Sequence, residues 1–196
     1  MRNIRDYILE MTTDESITPE MRDWFTQRTA KHIDLVKKYA HRIYELDPNR
    51  WKPLLDQVEN HDDSKYQEPE KTPYIYISWN YHCKDLGIPY QIPDNIDGTA
   101  ATNYHVKNNM HHPEYWSDQV DTINREDRDK PPENMIDASG MDDISIGEMC
   151  ADWAGMSEEK GTNTPQEWAD KNINIRWKFT PKQIDLIYGI LNAIWK

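Results

Sequence analysis

Residues 18–44 read TPEMRDWFTQRTAKHIDLVKKYAHRIY, and this stretch decides the fold class. Thr18 is a good N-cap, and Pro19 suits the first helical position, where a missing N–H costs nothing. Phe25, Thr29, Ile33, Val36, Tyr39, Ala40 and Ile43, with Leu35, recur at threes and fours, the spacing of an amphipathic helix. The helix is predicted from about Pro19 to Tyr44. His32 lies seven residues after Phe25, four before Val36 and seven before Tyr39, so it faces inward with the apolar stripe. His41 falls half a turn out of phase with His32 at about 100° per residue and faces solvent.

Working outward, the same period recurs. Asp47-Pro48 is a second cap and helix start, followed by Trp51, Leu54, Leu55 and Val58 at helical spacing, which run into His61-Asp62. Tyr74-Ile75-Tyr76-Ile77 has strand propensity, but the helical context favours a helix from about Tyr74 to Lys84. Gly87, Pro89, Pro93, Asp94, Asn95 and Gly98 mark a loop over 87–99, and a helix from about Ala100 to His111 follows. Pro113 disfavours helical backbone at His112, which places the His111-His112 pair at a helix end. Residues 124–142 are charged, carry Pro131-Pro132 and Gly140, and read as a mobile surface loop or lid. Ser145-x-x-Glu148 and Thr164-x-x-Glu167 have the form of capping boxes, the first with Ile144 and Met149 as a hydrophobic staple. Met149, Trp153 and Met156 continue the inner face of the helix so opened. Thr180-Pro181 opens a last helix whose inner face is Ile184, Ile187, Tyr188, Leu191 and Trp195. No repeat or low-complexity tract occurs. The sum is an all-α globule of about seven helices, read as a single domain over 1–196.

Composition limits the functions open to it. The chain has 196 residues, a hydrophobic fraction of 37% and a net charge of −12. Low hydrophobicity with high net charge is the signature of disorder, but eight Trp and eleven Tyr supply the apolar area a core needs. The acidity is unsuited to duplex nucleic acid or anionic membranes, though bound cations reverse a local field. Cys83 and Cys150 are too few for a disulfide framework and lack zinc-finger spacing, so they read as reduced thiols of a cytoplasmic protein. No apolar leader region and no run of about 18 apolar residues is found, so neither standard secretion nor membrane spanning is expected. P-loop, dinucleotide-binding and serine-hydrolase motifs are absent.

The chemistry concentrates on His61-Asp62-Asp63-Ser64-Lys65. A His beside an Asp sets an imidazole nitrogen next to a carboxylate oxygen, a pair that holds one divalent cation, or bridges two, when further ligands converge. His32 lies upstream; His82, His105, His111, His112 and Asp152 follow. Each residue has an ordinary reading as well: His32 as a buried core histidine, His61-Asp62 as a helix-end pair, His82 and Lys65 as surface groups, Glu148 as a capping partner.

The combination of H…HD…H…HH…D on an all-α background resembles the HD-domain superfamily of metal-dependent phosphohydrolases, over roughly residues 32 to 153. His61-Asp62-Asp63-Ser64-Lys65 is similar to the HD-x-[Gly/Ser]-Lys signature of several branches. His111-His112-Pro113-Glu114 looks like the His-His-Glu region of the HD-GYP cyclic-dinucleotide phosphodiesterases, but Tyr115-Trp116-Ser117 replaces the Gly-Tyr-Pro that follows there, which argues against a cyclic-di-GMP substrate. His105-x-x-x-Asn109-x-His111-His112-Pro113-Glu114-Tyr115-Trp116 and Met149-Cys150-Ala151-Asp152-Trp153 look most like an uncharacterised HD-like group of phages and bacteria. The resemblance implies one or two divalent ions (Mn, Fe, Co, Ni, Zn or Mg) held by His32, His61, Asp62 and Asp152, with Asp62 bridging. His105 with His111 or His112 completes a second position, and His82 is the alternate contributor. It implies hydrolysis of a small phosphoester, a nucleotide or a relative, through a metal-bound hydroxide. In such a site Lys65 would supply positive charge to the phosphate and Asp63 would act as an acid or base. Glu68 and Glu114 are candidate orienters of ligand histidines, and Tyr66, Tyr104, Tyr115 and Trp116 candidate stacking partners for a base. Two other readings use the same residues: a di-iron oxygenase of the HD fold, like myo-inositol oxygenase, and a non-catalytic binder of a nucleotide or partner protein.

Overall fold

The computed structural model describes residues 16–118, 132 and 134–195. Among these are seven α-helices, two short 3-10 turns and a two-stranded ribbon, so the all-α expectation holds.

Helix α1 spans Pro19–Leu46. Thr18 caps it through its side-chain oxygen, which accepts from the Met21 N–H at 3.2 Å. Asp47 ends α1 in extended backbone and caps α2, Pro48–Val58, accepting from the amides of Asn49 and Arg50. One residue thus satisfies orphan donors of α2 while breaking α1. A 3-10 turn over Asp63–Tyr66 leads to α3, Lys71–Asp85. The segment around Tyr74 is helical: Ile75, Tyr76 and Ile77 are all buried, which a helix clamped between neighbours accommodates. Helix α4 runs Gly98–Asn108, capped by Asp97. It stops three residues short of the predicted end, because Asn109 turns to extended backbone. His111 and His112 lie beyond it, and Pro113 opens a second 3-10 turn, Pro113–Trp116.

Part of the expected 124–142 loop lies outside the described residues. The rest departs from expectation. Ile136–Asp137 forms strand β1, and Ile136, Ala138 and Met141 are buried in the main core. Apolar side chains at these positions outweigh the charged composition around them. Strand β1 pairs in parallel with β2, Trp177–Lys178, with Ile136 opposite Trp177.

Helix α5 runs Asp143–Lys160 and is capped by Asp142, whose carboxylate accepts from the Ser145 N–H at 2.8 Å. The predicted Ser145–Glu148 capping box is therefore corrected: the helix starts earlier, Ser145 sits buried inside its first turn, and Glu148 is released for other work. The Thr164–Glu167 box forms as expected and opens α6, Pro165–Asn172. Thr180 and Gln183 form another, opening α7, Pro181–Ile194.

Helices α1 and α5 make the central pair, flanked by α2, α3, α6 and α7. Two glycines of α5 stand at its close approaches to neighbouring helices. A Cβ at Gly155 would touch α1, 3.4 Å from the Val36 backbone nitrogen, and one at Gly147 would crowd α2, only 2.8 Å from Cζ3 of the buried Trp51. The main core joins Val36, Tyr39 and Ile43 to Trp51, Leu54, Met149, Trp153, Ile187 and Leu191. A smaller core gathers Ile17, Met21, Phe25, Ile75 and Tyr76. His32 and Thr29 are the buried residues of α1 between Phe25 of the small core and Val36 of the large one, at the seam of the two. None of the described helices is long and apolar enough to cross a membrane.

Candidate metal centre

The seam is polar and built around one carboxylate. Asp62 takes left-handed backbone (φ 62°, ψ 9°) between α2 and the 3-10 turn, a conformation Asp tolerates better than most residues and one that collects at functional sites. Asp62 is buried, whereas Asp63 is exposed. The predicted acid–base role for Asp63 is thus not supported by position: the turn that carries Asp62 inward carries its neighbour to the surface.

Four imidazoles address the two oxygens of Asp62. On the Oδ2 side, His32 Nε2 lies 3.5 Å away and His61 Nε2 3.7 Å. Asp152, from α5, joins that side, its Oδ1 lying 3.0 Å from His32 Nε2 and 4.0 Å from His61 Nε2. On the Oδ1 side, His105 Nε2 lies at 3.2 Å and His111 Nε2 at 3.9 Å. His112, half-buried, closes this side, its ring centroid 4.2 Å from that of His111 and 4.9 Å from that of His105. Three groups have ligand atoms close enough to share an ion: His32, His61 and Asp152; His105, His111 and His112; and His61, His111 and Glu148.

The far nitrogen of each inner ring faces a glutamate. His61 Nδ1 lies 2.7 Å from Glu148 Oε1, and His111 Nδ1 lies 3.4 Å from the same atom. His105 Nδ1 lies 2.7 Å from Glu70 Oε2, and His32 Nδ1 lies 3.9 Å from Glu159 Oε2. Carboxylate-backed histidines of this kind are characteristic of metal sites, since the carboxylate fixes the ring and makes the opposite nitrogen more basic. None of Glu70, Glu148 and Glu159 is expected as an orienter from the sequence, where Glu148 has a metal role only as the lesser alternative to capping Ser145. The two glutamates named there do other things. Glu68 is exposed and bonds Thr72 at the start of α3, while buried Glu114 accepts from the Trp177 indole at 3.1 Å beside Arg176.

The donor chemistry fits a cation. With His105 Nδ1–H donating to Glu70, the Nε2 lone pair points at Asp62 Oδ1 3.2 Å away, and two lone pairs repel unless a positive charge lies between them. His61 Nε2 and Asp62 Oδ1 are both buried and take no aligned hydrogen bond among the described residues. Nitrogen and oxygen ligands about 2.1 Å from one ion stand roughly 3–3.5 Å apart, close to the spacings found here. Buried His/Asp/Glu groups able to hold a metal ion are therefore present.

Electrostatics agree. Burial alone raises the carboxyl of Asp62, but Lys65 and the His61 and His105 rings hold it well below the usual carboxylate range. Asp152 is likewise raised by burial, yet its hydrogen bond with His32 and the charges of the neighbouring rings push it down to about 2. Glu148 is held below its ordinary value by His111 and His61 against the effect of burial. Lys65 is lowered by burial but raised on balance by Asp62, to which its ammonium donates. Its side chain keeps 18% exposure, while its ammonium is held against the Asp62 carboxylate.

His82 is not brought to this cluster. It sits on α3, half-buried, with its ring stacked on Trp24 at 3.7 Å and tilted against Trp79 at 5.0 Å. The α3 helix aims it away from Asp62, toward α1 residues nearer the helix start. Of the aromatic candidates, Tyr66 packs edge-on to Phe25, Trp116 donates to the Met110 carbonyl, and Tyr104 and Tyr115 are exposed.

Fold and site together define an all-α helical protein with a buried centre of histidines and carboxylates suited to divalent metal. The chain belongs to a family of unknown function, DUF5662, whose profile matches residues 21–193 and so takes in every element that contributes to the candidate centre. No curated protein and no solved structure gives a significant match.

Proposed function

We propose that the protein is a metal-dependent phosphohydrolase of HD-domain type, acting on a nucleotide or related small phosphoester. The reading rests on one observation above others: Asp62 divides two histidine pairs between its two oxygens while Lys65 sits against the same carboxylate. The centre would hold divalent metal through His32, His61, Asp62 and Asp152 on one side and Asp62, His105 and His111 on the other, with His112 adjoining. When bound, such a metal lowers the pKa of a coordinated water and polarises a phosphate oxygen. Four or more imidazoles suit Mn, Fe, Co, Ni or Zn better than Mg, which prefers an all-oxygen shell.

The chain's own residues supply the rest. Lys65 holds a positive charge at the partly open side of the centre, where it attracts a phosphate and offsets charge that develops as the ester bond breaks. Asp62 and Asp152, held ionised, keep their oxygens available at neutral pH. Glu70 and Glu148 keep the histidine Nε2 atoms turned inward.

The test is release of phosphate from a panel of nucleoside mono-, tri- and cyclic phosphates, with Mn, Co, Fe, Ni or Mg supplied in turn. Turnover is expected with at least one transition metal, and Lys65→Met should lower it by about 10- to 1,000-fold. No release from any substrate with any of these metals would overturn the reading. Dioxygen consumption by the iron-loaded protein, without phosphate release, would assign the centre to the oxygenase chemistry instead.

A further inference from the structure

We propose that Glu148 is a positioning residue that ties the two halves of the centre together, by fixing the ring tautomer of one histidine in each half. The inference rests on the metal centre described above, not on the reaction proposed for it.

Glu148 stands one helical turn before Asp152 on α5, so both project from one face of that helix. Its carboxylate is buried, and its two oxygens have different duties. Oε2 accepts from Gln57 Nε2 of α2 at 2.6 Å, and the same amide lies 3.4 Å from Ser145 Oγ. Oε1 is left to face two rings, His61 Nδ1 at 2.7 Å and His111 Nδ1 at 3.4 Å. A carboxylate oxygen has two lone pairs and can accept from both. The rings lie together, their centroids 4.3 Å apart. With Nδ1–H donating to Glu148, each ring keeps its proton on the far side and offers Nε2 to Asp62: His61 toward Oδ2, His111 toward Oδ1.

This arrangement is asymmetric across the cluster. Glu70 serves His105 alone, and Glu159 faces only His32, from 3.9 Å, while also pairing with Arg28. Glu148 is the one of the three glutamates in contact with a histidine of each half. Its charge is not spent on a lysine or arginine among the described residues; the cation-capable groups it meets are the two rings. Loss of Glu148 should therefore loosen both halves, whereas loss of Glu70 should loosen one.

Glu148→Gln separates orientation from packing. Gln57 presents an N–H to Oε2, so the new amide nitrogen is turned away from Gln57 and toward the rings. There it meets their Nδ1 atoms as a donor and selects the Nε2–H tautomer at both.

The experiment uses metal-free full-length protein and two-bond 1H–15N NMR of the histidine rings, which reads the tautomer without any metal. The wild type is expected to carry Nδ1–H at both His61 and His111; Glu148→Gln should move both to Nε2–H, and Glu70→Gln should change His105 only. Mn2+ or Co2+ titration by calorimetry should then show Glu148→Gln weakened about 10- to 100-fold in every binding step and Glu70→Gln in one. Two results overturn the proposal: an Nε2–H tautomer at either ring of the wild type, or a Glu148→Gln protein that matches Glu70→Gln in losing a single step. The wild-type spectrum decides the matter even if the variant does not fold. It also stands if the protein shows no phosphatase activity, since the tautomers do not depend on the reaction.

Discussion

His61 and His82 carry the same side chain and are separated by their surroundings. His61 Nδ1 meets a buried carboxylate and its Nε2 faces Asp62, whereas His82 lies between two tryptophan rings. A histidine held by aromatic stacking gains dispersion and no charge partner; one held by carboxylates on both sides is oriented to bind a cation. The two should separate in metal content. Elemental analysis of the purified protein is expected to find one or two transition-metal ions per chain. His61→Ala with Asp62→Ala should lose most of them, while His82→Ala keeps the wild-type amount. Equal metal in the double variant and the wild type would sink the site assignment. The clustered histidines were legible as candidates because the chain has only seven histidines, and five of the six singled out do converge. The backing glutamates were not, because the chain has many acidic residues and nothing local distinguishes Glu70 from exposed Glu68. Glu148 was hidden by a capping motif that α5 does not use.

Helices are held to one another by a few polar ties, half-buried at Tyr39 and exposed at Tyr188, as well as by apolar packing. The Tyr39 hydroxyl of α1 donates to Glu158 of α5 at 2.7 Å, and Tyr188 of α7 donates to Asp170 of α6 at 2.6 Å. Burial and the adjacent carboxylate push both phenols up to about 12. A phenol whose pKa is raised by folding favours the native state fully below its ordinary value near 10, and that contribution fades as pH climbs through 12. The urea midpoint should therefore fall between pH 10 and 12, and Tyr39→Phe should show a smaller alkaline loss than the wild type. Absorbance at 295 nm offers the direct check: Tyr39 and Tyr188, with Tyr66, which burial and the charges of Asp63 and Asp62 also raise, are expected to ionise late, and titration of all tyrosines near 10 would refute the assignment. At this scale the sequence was most reliable in α1, where cap and period agreed; in α7 the cap held, but the buried face is Gln183, Ile187, Ile190, Leu191 and Ile194, with the expected Ile184, Tyr188 and Trp195 only half-buried. It failed where a cap competed with an earlier one, at α5, and where apolar residues lay inside a charged stretch, at Ile136 and Met141.

Across the whole molecule the centre is a junction. Its side chains come from α1, the turn after α2, the end of α4, the segment before Pro113, and α5. An ion bound there bridges elements distant in sequence and has no comparable site in the unfolded chain. Its binding should thus appear as stability. Saturating Mn2+ or Co2+ at about 100 times its dissociation constant would add roughly 2.7 kcal/mol. The melting temperature should rise on metal addition and fall on treatment with a chelator, by several degrees for a chain of this size. A melting curve indifferent to both would mean that no ion is held at the junction.

The sequence by itself determined the helical class, the inward face of α1, and the set of histidines and aspartates from which a centre is built. Those follow from local period, capping chemistry and residue type, which act over a few positions. The tertiary structure alone decided which members meet. It set Asp62 rather than Asp63 at the middle, excluded His82, and brought Glu70, Glu148 and Glu159 behind the rings. Those outcomes depend on the left-handed turn at Asp62 and on the close packing of α1 against α5, which bring together groups far apart in the chain.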